Sequence, residues 1–167
     1  SILIASALHG QSRVELPDSA LKILTSKYSG WHWVDNINVI TLPVLRELHL
    51  DTTKCRPNFA WGDFDGNGKR DYVAFIERHS GEQREQFLVA LISKGLGFQD
   101  ILLDQETGGA HIADYIWLVK KGSNSYDFER NKKFVLKRDA VELIYIEKGS
   151  ELIYFDGGQF NRLTTSD

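Results

Sequence analysis

The chain has 167 residues, of which 42% are hydrophobic and 26% are charged, as in an ordinary globular protein large enough to bury a core. The formal net charge of -3 and the pI of about 5.9 exclude the basic surface that nucleic-acid binding requires. The one cysteine, Cys55, excludes an internal disulfide framework and a cysteine-rich zinc site. Four Trp, six Tyr and nine Phe favour a sheet-rich core.

The first residues differ in composition from the rest of the chain. Residues 2–8 form a short run of apolar and small side chains, followed by a polar turn, as in the distal part of a secretory signal. The alternative interpretation of this run is that it forms the first β-strand of the domain. We therefore expect residues 1–13 to be a signal-peptide remnant or N-terminal extension, residues 14–167 to form a single globular domain, and the protein to be periplasmic or otherwise exported. No segment approaches the roughly 18 consecutive apolar residues of a membrane span.

Residues 16–30, LPDSALKILTSKYSG, carry the clearest helix pattern. Pro17 suits a first helical turn, and Asp18 and Ser19 are capping residue types. One apolar face is formed by Ala20, Leu21, Ile23, Leu24 and Tyr28. Gly30 is a natural end for this helix. The segment at 44–51, VLRELHLD, fits a short helix or a strand equally well.

From residue 59 onward, apolar and aromatic runs alternate with Gly, Asn, Asp and Ser. These runs predict strands at 59–61, 71–78, 86–94, 98–103, 111–120, 133–136, 141–147, 152–155 and 159–163. Short connections make neighbouring strands antiparallel. We expect an α+β, β-rich fold, with the N-terminal helix packed on an antiparallel meander sheet that could curl like propeller blades.

The stretch WGDFDGNGKRDYVAFI, residues 61–76, places oxygen-bearing groups at every second position of a loop. Gly66 and Gly68 allow the backbone to turn tightly there. The candidate metal ligands are the side chains of Asp63, Asp65, Asn67 and Asp71 and the main-chain carbonyl of Lys69. Calcium prefers six to eight oxygen ligands, and three carboxylates at this spacing repel one another without a cation. The spacing therefore predicts a calcium site, with a plain polar turn as the alternative.

An EF-hand would need a glutamate at the twelfth loop position, between two helices. The twelfth residue here is Ala74, within a predicted strand, so the loop is not an EF-hand. One contiguous loop supplies all of the ligands and can saturate the ion. We therefore expect the calcium to stabilise the protein rather than to take part in a reaction.

The loop and its flanking strands resemble the FG-GAP or VCBS-type calcium loop of integrin-like propeller repeats. In that family the pattern D-x-[DN]-x-[DN]-G-x-x-D lies between two strands, and Asp63, Asp65, Asn67, Gly68 and Asp71 match it. The match covers about a tenth of the chain and occurs once. It implies calcium binding and a β-rich fold.

A looser similarity links three segments of the chain. LPDSALKILTSKYSGW, WGDFDGNGKRDYVAFI and YFDGGQFNRLTTSD occur in an order similar to that of small exported bacterial proteins with one such loop, most of which have no assigned function. This resemblance implies export and calcium, and it implies no activity.

The common signatures of catalytic sites are absent from the sequence, including the nucleophile elbow, the zinc-protease helix and the phosphate-binding loop. His111 and Asp114 are three residues apart, but in a strand they would face opposite sides. Cys55 fits a small buried side chain better than a nucleophile. We therefore expect a protein that is not an enzyme.

Three segments rich in glycine and serine, at 93–100, 106–114 and 120–131, are the candidate recognition loops, because loops on a rigid sheet commonly carry binding functions. The candidate partner-binding residues are Gly95, Thr107, Gly108, Gly109, His111, Ser123, Asn124 and Ser125. The expected function is that of an inhibitor or immunity protein that occludes a secreted, peptidoglycan-degrading cell-wall hydrolase. The free protein is expected to be a monomer.

Two other functions are kept as alternatives. A carbohydrate- or envelope-binding module could use Trp31 and Trp33 as a stacking surface, although aromatic clusters after a helix more often belong to the core. A hydrolase without a familiar motif is the third hypothesis. The basic segment at 130–138, RNKKFVLKR, could meet an anionic partner or could simply be a strand edge guarded by lysines.

Overall fold

The computed structural model describes residues 16–34, 58–109, 111–146 and 148–166. The predicted signal remnant at 1–13, the segment at 44–51 and Cys55 lie outside these ranges. Within them the protein is β-rich, with one short helix near the N-terminus and antiparallel sheets.

The helix α1 spans Asp18–Lys27, as the apolar pattern predicts. Pro17 precedes it in an extended conformation, and Ala20 and Leu24 are fully buried. The helix ends where the Tyr28 amide donates to the Leu24 carbonyl, 2.8 Å away. An acidic residue in the first turn and a basic residue in the last turn complement the helix dipole.

The described residues form eleven strands, and all nine predicted strands are among them with altered ends. The strands are β1 His32–Trp33, β2 Phe59–Gly62, β3 Asp71–Ser80, β4 Gln83–Lys94, β5 Gly97–Thr107, β6 Tyr115–Val119, β7 Asn124–Asp127, β8 Lys132–Val135, β9 Ala140–Tyr145, β10 Gly149–Asp156 and β11 Gln159–Ser166. The two short strands β1 and β7 were not predicted.

These strands divide among three antiparallel sheets rather than forming one meander. The first sheet has the order β1-β3-β4-β5, and β2 shares the outer edge of β3 with β1. The second sheet has the order β11-β10-β9-β6, and β7 pairs with β8 as a separate hairpin. The predicted antiparallel pairing is confirmed, whereas the sequence leaves open the division into three sheets, since a sequence pattern shows local hairpins but not the sheet that each one joins.

The first sheet is buried on both faces. Alternate residues of β3, such as Val73 and Phe75, pack against the second sheet, while Ala74 and Ile76 pack in the cluster that contains α1. This double burial explains why β3 and β4 are almost continuously apolar instead of alternating with polar residues. The sheet is thus the rigid centre from which the loops project.

Trp31 and Trp33 belong to the cluster between α1 and the first sheet. Their rings meet edge to face with centroids 5.3 Å apart, and Trp33 packs in the same manner on Phe59 at 5.6 Å. Both residues are half-buried. This packing favours a core role for the pair over a free stacking surface.

Within the described ranges, no helix has the length and apolar character to cross a membrane.

Candidate metal centre

The aspartate loop connects β2 to β3 within one hairpin. Gly62 and Asp71 face each other in the register of the two strands, so residues 63–70 form the connection. Gly66 and Gly68 have φ angles of 79° and 78°, a left-handed conformation that glycine adopts without steric cost. The loop is therefore a strand–loop–strand unit, unlike the helix–loop–helix of an EF-hand.

Three carboxylates converge in this loop. Asp63, Asp65 and Asp71 can each present an oxygen so that all three oxygens lie within 4.8 Å of one another. Asp71 is fully buried, and the side chain of Asp65 is only 6% exposed. The cluster is a possible metal site, because hard divalent cations bind such groups of carboxylate oxygens.

Asp71 is held by backbone amides on both of its oxygens. Its Oδ2 accepts from the amides of Phe64 at 2.9 Å and Asp65 at 3.4 Å, and its Oδ1 accepts from the Ser93 amide at 2.8 Å. Burial raises the pKa of Asp71, and the nearby charge of Asp65 adds to this effect, whereas the three amide hydrogen bonds act in the opposite direction. The carboxylate is therefore rigidly placed but short of positive charge.

Asp63 has one satisfied and one unsatisfied oxygen. Its Oδ2 accepts from the Gly68 amide at 3.0 Å, whereas its Oδ1 is buried and has no hydrogen-bond partner among the described residues. A buried carboxylate oxygen without a partner is costly, so such cases call for a physical explanation. A cation between the three aspartates would supply the missing partner, and the donor set therefore fits a metal ion.

The other two predicted ligands also lie in the loop. The Asn67 side chain donates from Nδ2 to Asp65 Oδ2 at 3.1 Å and to the Ser93 carbonyl at 3.0 Å, while its Oδ1 accepts from the Lys69 amide at 2.8 Å. The Lys69 ammonium donates to the Gly95 carbonyl at 3.2 Å. Asn67 thus reaches the aspartates through its nitrogen in this arrangement, and rotation of its amide group is required to present the oxygen instead.

The end of the β4–β5 hairpin braces one side of the loop. The Ser93 backbone amide donates to Asp71, and the Ser93 hydroxyl donates to the Arg70 carbonyl at 2.5 Å. The Lys94 ammonium lies 3.1 Å from Asp65 Oδ2 and partly offsets the negative charge of the cluster. The loop and the hairpin end therefore form one connected unit.

The second sheet braces the other side through Asp139, which immediately precedes β9. Asp139 Oδ2 accepts from the Asp63 amide at 3.1 Å and from the Lys120 ammonium at 3.0 Å, and its Oδ1 accepts from the Lys121 amide at 2.9 Å. Burial alone would raise the pKa of Asp139, but these hydrogen bonds and the Lys120 charge together hold it below its usual value. Sequence reasoning missed this residue, because it lies 76 positions from its loop partner.

Gly62→Ala is expected to destabilise the protein by about 1–3 kcal/mol, the usual cost of forcing extra volume into a packed site. A Cβ at this position would lie 2.6 Å from Asp139 Oδ2 and 2.9 Å from Asp139 Cβ. Urea denaturation measures the loss. Gly97→Ala is the matched control, because its Cβ would meet nothing within 4 Å. Equal stability of the two variants would show that the contact between Gly62 and Asp139 is easily relaxed.

The predicted partner-binding residues do not form one surface. Gly95 lies in the β4–β5 turn beside the aspartate loop, and Thr107 ends β5 at the opposite end of the same hairpin. Thr107 pairs with Glu85 of β4, whereas Gly95 directly follows Lys94, nine residues further along that strand. This separation corresponds to about 30 Å. Gly108 and Gly109 follow Thr107, and the stretch 123–125 leads into β7. The surface envisaged from the three segments is thus divided between two ends of the first sheet and the hairpin β7–β8.

The segments themselves are more regular than expected. In 93–100, only Gly95 and Leu96 lie outside strands, and β7 occupies the middle of 120–131. Short polar strands such as β7 lack the apolar alternation by which strands are recognised.

His111 and Asp114 precede β6 instead of lying within it, and they serve different contacts. His111 is exposed and its Nδ1 accepts from Arg84 Nη2 at 3.1 Å, whereas Asp114 Oδ2 accepts from the Ile146 amide at 2.6 Å. His111 and Asp114 therefore have different hydrogen-bond partners among the described residues and are not bonded to each other.

Comparison of the chain with protein-family models, with curated proteins and with solved structures finds no match.

Proposed function

We propose that the protein binds one calcium ion in the aspartate loop, with the side chains of Asp63, Asp65, Asn67 and Asp71 and the carbonyl of Lys69 as ligands. The observation that carries this proposal is Asp63 Oδ1, which is buried beside two other carboxylates and has no hydrogen-bond partner among the described residues. The similarity of the loop to FG-GAP or VCBS-type repeats supports the choice of calcium. The second sheet has four antiparallel strands, as one blade of such a propeller does.

The ion has a structural role in this proposal. The aspartate loop contacts the end of the β4–β5 hairpin through Ser93 and Lys94, and it contacts the second sheet through Asp139. An ion that orders the loop therefore also orders these two neighbours. The ligands come from one loop, so the ion needs no substrate to complete its coordination.

We further propose that the protein is exported and non-catalytic, and that it acts by binding another protein. Leu96, at the tip of the β4–β5 hairpin, is fully exposed at 107%, and Phe128, beside β7, is 50% exposed. Both lie in segments where we expected recognition. Exposed large apolar side chains on protruding turns are suited to insertion into a cleft of a partner.

The best specific candidate for the partner is a peptidoglycan-degrading cell-wall hydrolase, which an inhibitor or immunity protein of this kind would occlude. The carbohydrate-binding alternative is weaker, because Trp31 and Trp33 pack in the cluster between α1 and the first sheet. A hydrolase remains the third alternative.

Affinity capture from a bacterial envelope extract tests the proposal. The immobilised protein should retain a cell-wall hydrolase in calcium and should lose it in chelator, because the hairpin tip that carries Leu96 adjoins the aspartate loop. Leu96→Asp should weaken capture at least about tenfold. Leu102→Asp is the matched control, since Leu102 is also exposed but lies within β5. Retention of glycan instead of protein would favour the envelope-binding module. Equal capture of the hydrolase by both variants would show that the hairpin tip is not part of the interface.

A further inference from the structure

A second group of potential metal ligands lies at the other end of β3. His32 of β1 and Glu77 and His79 of β3 can each present one ligand atom so that all three atoms lie within 4.8 Å of one another. His79 follows Asp71 by eight positions along the strand, which corresponds to about 25 Å. This group is therefore separate from the aspartate loop, and it mixes two imidazoles with one carboxylate.

Strand pairing creates the group. His32 faces Glu77 directly in the antiparallel register of β1 and β3. Glu77 and His79 are two residues apart on one strand, so their side chains project from the same face. The two imidazole rings lie parallel, with an angle of 8° between their planes and centroids 5.6 Å apart. Three ligand-bearing side chains thus share one face at the edge of the sheet.

The distances suit a small divalent ion. Zinc bonds to imidazole nitrogen and carboxylate oxygen are about 2.0–2.2 Å long, so two ligand atoms of a tetrahedral site lie about 3.4 Å apart. His32 Nε2 and Glu77 Oε1 are already 3.2 Å apart. His79 is exposed near the end of β3, so its side chain can rotate to complete the set.

The carboxylate is held in place by a buried partner. Glu77 Oε2 accepts from Gln86 Nε2 at 3.3 Å, while its Oε1 faces His32. Gln86 is only 1% exposed, and its own Oε1 accepts from the Ile112 amide at 3.2 Å. One oxygen of Glu77 is thus fixed by Gln86, and the other faces His32. Hydrogen bonds that orient a ligating carboxylate in this way are typical of metal sites.

The burial of Glu77 supports the same conclusion. Glu77 is 5% exposed, and buried carboxylates require charge compensation. The Arg84 guanidinium lies 4.0 Å from Oε2, and His32 contacts Oε1. A pair of His32 with Glu77 accounts for these contacts without His79. A divalent ion would use all three side chains, whose ligand atoms lie within 4.8 Å of one another, once the exposed His79 ring turns out of its parallel position and directs a nitrogen at the ion.

We infer that His32, Glu77 and His79 bind a divalent transition-metal ion, with zinc as the ion to test. Imidazole and carboxylate ligands together suit zinc and its neighbours in the first row. Three protein ligands leave a fourth position, which faces solvent because the His32 side chain is 40% exposed and His79 is exposed. This site goes beyond the calcium loop and does not depend on it.

Isothermal titration of the full chain with zinc chloride, in excess calcium so that the aspartate loop is filled, tests the inference. The wild-type protein should bind one zinc ion at this site. His79→Ala and His32→Ala should each weaken zinc binding at least about tenfold, because each variant removes one of three ligands. His79→Ala is the decisive variant, since the exposed side chain can be removed without disturbing the core. Circular dichroism checks that both variants are folded.

Two controls separate this site from the rest of the molecule. His111→Ala removes an exposed histidine near Arg84 that is outside the group, and Asp65→Ala removes a carboxylate of the aspartate loop. Both should bind zinc as the wild type does. The inference is overturned if the wild type gives no zinc heat, if His79→Ala binds as tightly as the wild type, or if Asp65→Ala abolishes zinc binding. Retained zinc binding in a protein that fails to bind calcium would contradict the proposed calcium site alone.

Discussion

Protein stripped of metal by a chelator is expected to bind one calcium ion and then to melt about 5–10 °C higher. A ligand that binds only the folded state stabilises it by about 2.7 kcal/mol at a hundredfold excess over Kd. For a chain of this size, 1 kcal/mol shifts the melting temperature by about 2–4 °C. The physical source of the gain is the relief of repulsion among Asp63, Asp65 and Asp71 and the pairing of the buried Asp63 Oδ1. Calorimetric titration and thermal melting measure the two effects.

Asp63→Asn should remove most of the calcium binding and the associated shift in melting temperature. Asp156→Asn is the matched control, because Asp156 is an exposed aspartate in the β10–β11 hairpin. A wild-type protein that gives flat titration heats and melts identically with calcium and with chelator would show that the loop is a polar turn without an ion.

The pH dependence of the calcium effect has a definite sign. Burial raises the folded-state pKa of Asp71 above its ordinary value of 3.8. In the metal-free protein, the part of the stability that comes from this raised pKa is fully present below pH 3.8 and is lost as the pH rises through the folded pKa. Calcium binds the ionised form, so the calcium-dependent rise in melting temperature should be largest at neutral pH and should shrink as the pH falls through that pKa.

The helix, the strands and the cluster of three aspartates were predictable because their signals are local. The apolar face of α1 and the runs in β3 and β4 are visible within about ten residues of sequence. The three aspartates fall within nine positions, 63–71, and the hairpin between β2 and β3 is enough to bring them together. The loop spacing alone therefore located the carboxylate cluster.

Features that depend on distant pairing were not predictable. Asp139 reaches the loop only because the second sheet packs against the first, and Ser93 reaches Asp71 because β4 pairs with β3 in one particular register. The pairing of β1 with β3 likewise places His32 opposite Glu77, 45 positions away. Local periodicity contains no information about which strands become neighbours.

The contacts of the aspartate loop imply that it stabilises the protein even without an ion. The carboxylate of Asp71 accepts hydrogen bonds from the loop amides of Phe64 and Asp65 and from the β4 amide of Ser93. Asp71 is fully buried, so water cannot replace these hydrogen bonds. Asp71 is therefore both a candidate metal ligand and the acceptor that joins the β2–β3 loop to β4.

Asp71→Ala is accordingly expected to lower the free energy of unfolding by about 3 kcal/mol or more, measured by urea denaturation in chelator so that metal binding does not contribute. Each buried amide left without an acceptor costs about 1–3 kcal/mol, and at least the two shorter bonds, from Phe64 and Ser93, would be lost. Asp71→Asn keeps one acceptor oxygen and should lose less stability.

Asp65→Ala is the matched comparison for this prediction. It removes a carboxylate from the same cluster, but its partners are the exposed Lys94 ammonium and the amide and side chain of Asn67, so its loss in chelator should be much smaller. Adding calcium should then widen the gap between the wild type and both variants, because neither keeps the full ligand set. If Asp71→Ala and Asp65→Ala were equally stable in chelator, Asp71 would act only as a metal ligand, and the connection between the loop and β4 would have to be carried by the contacts of Ser93 with Arg70 and Asn67.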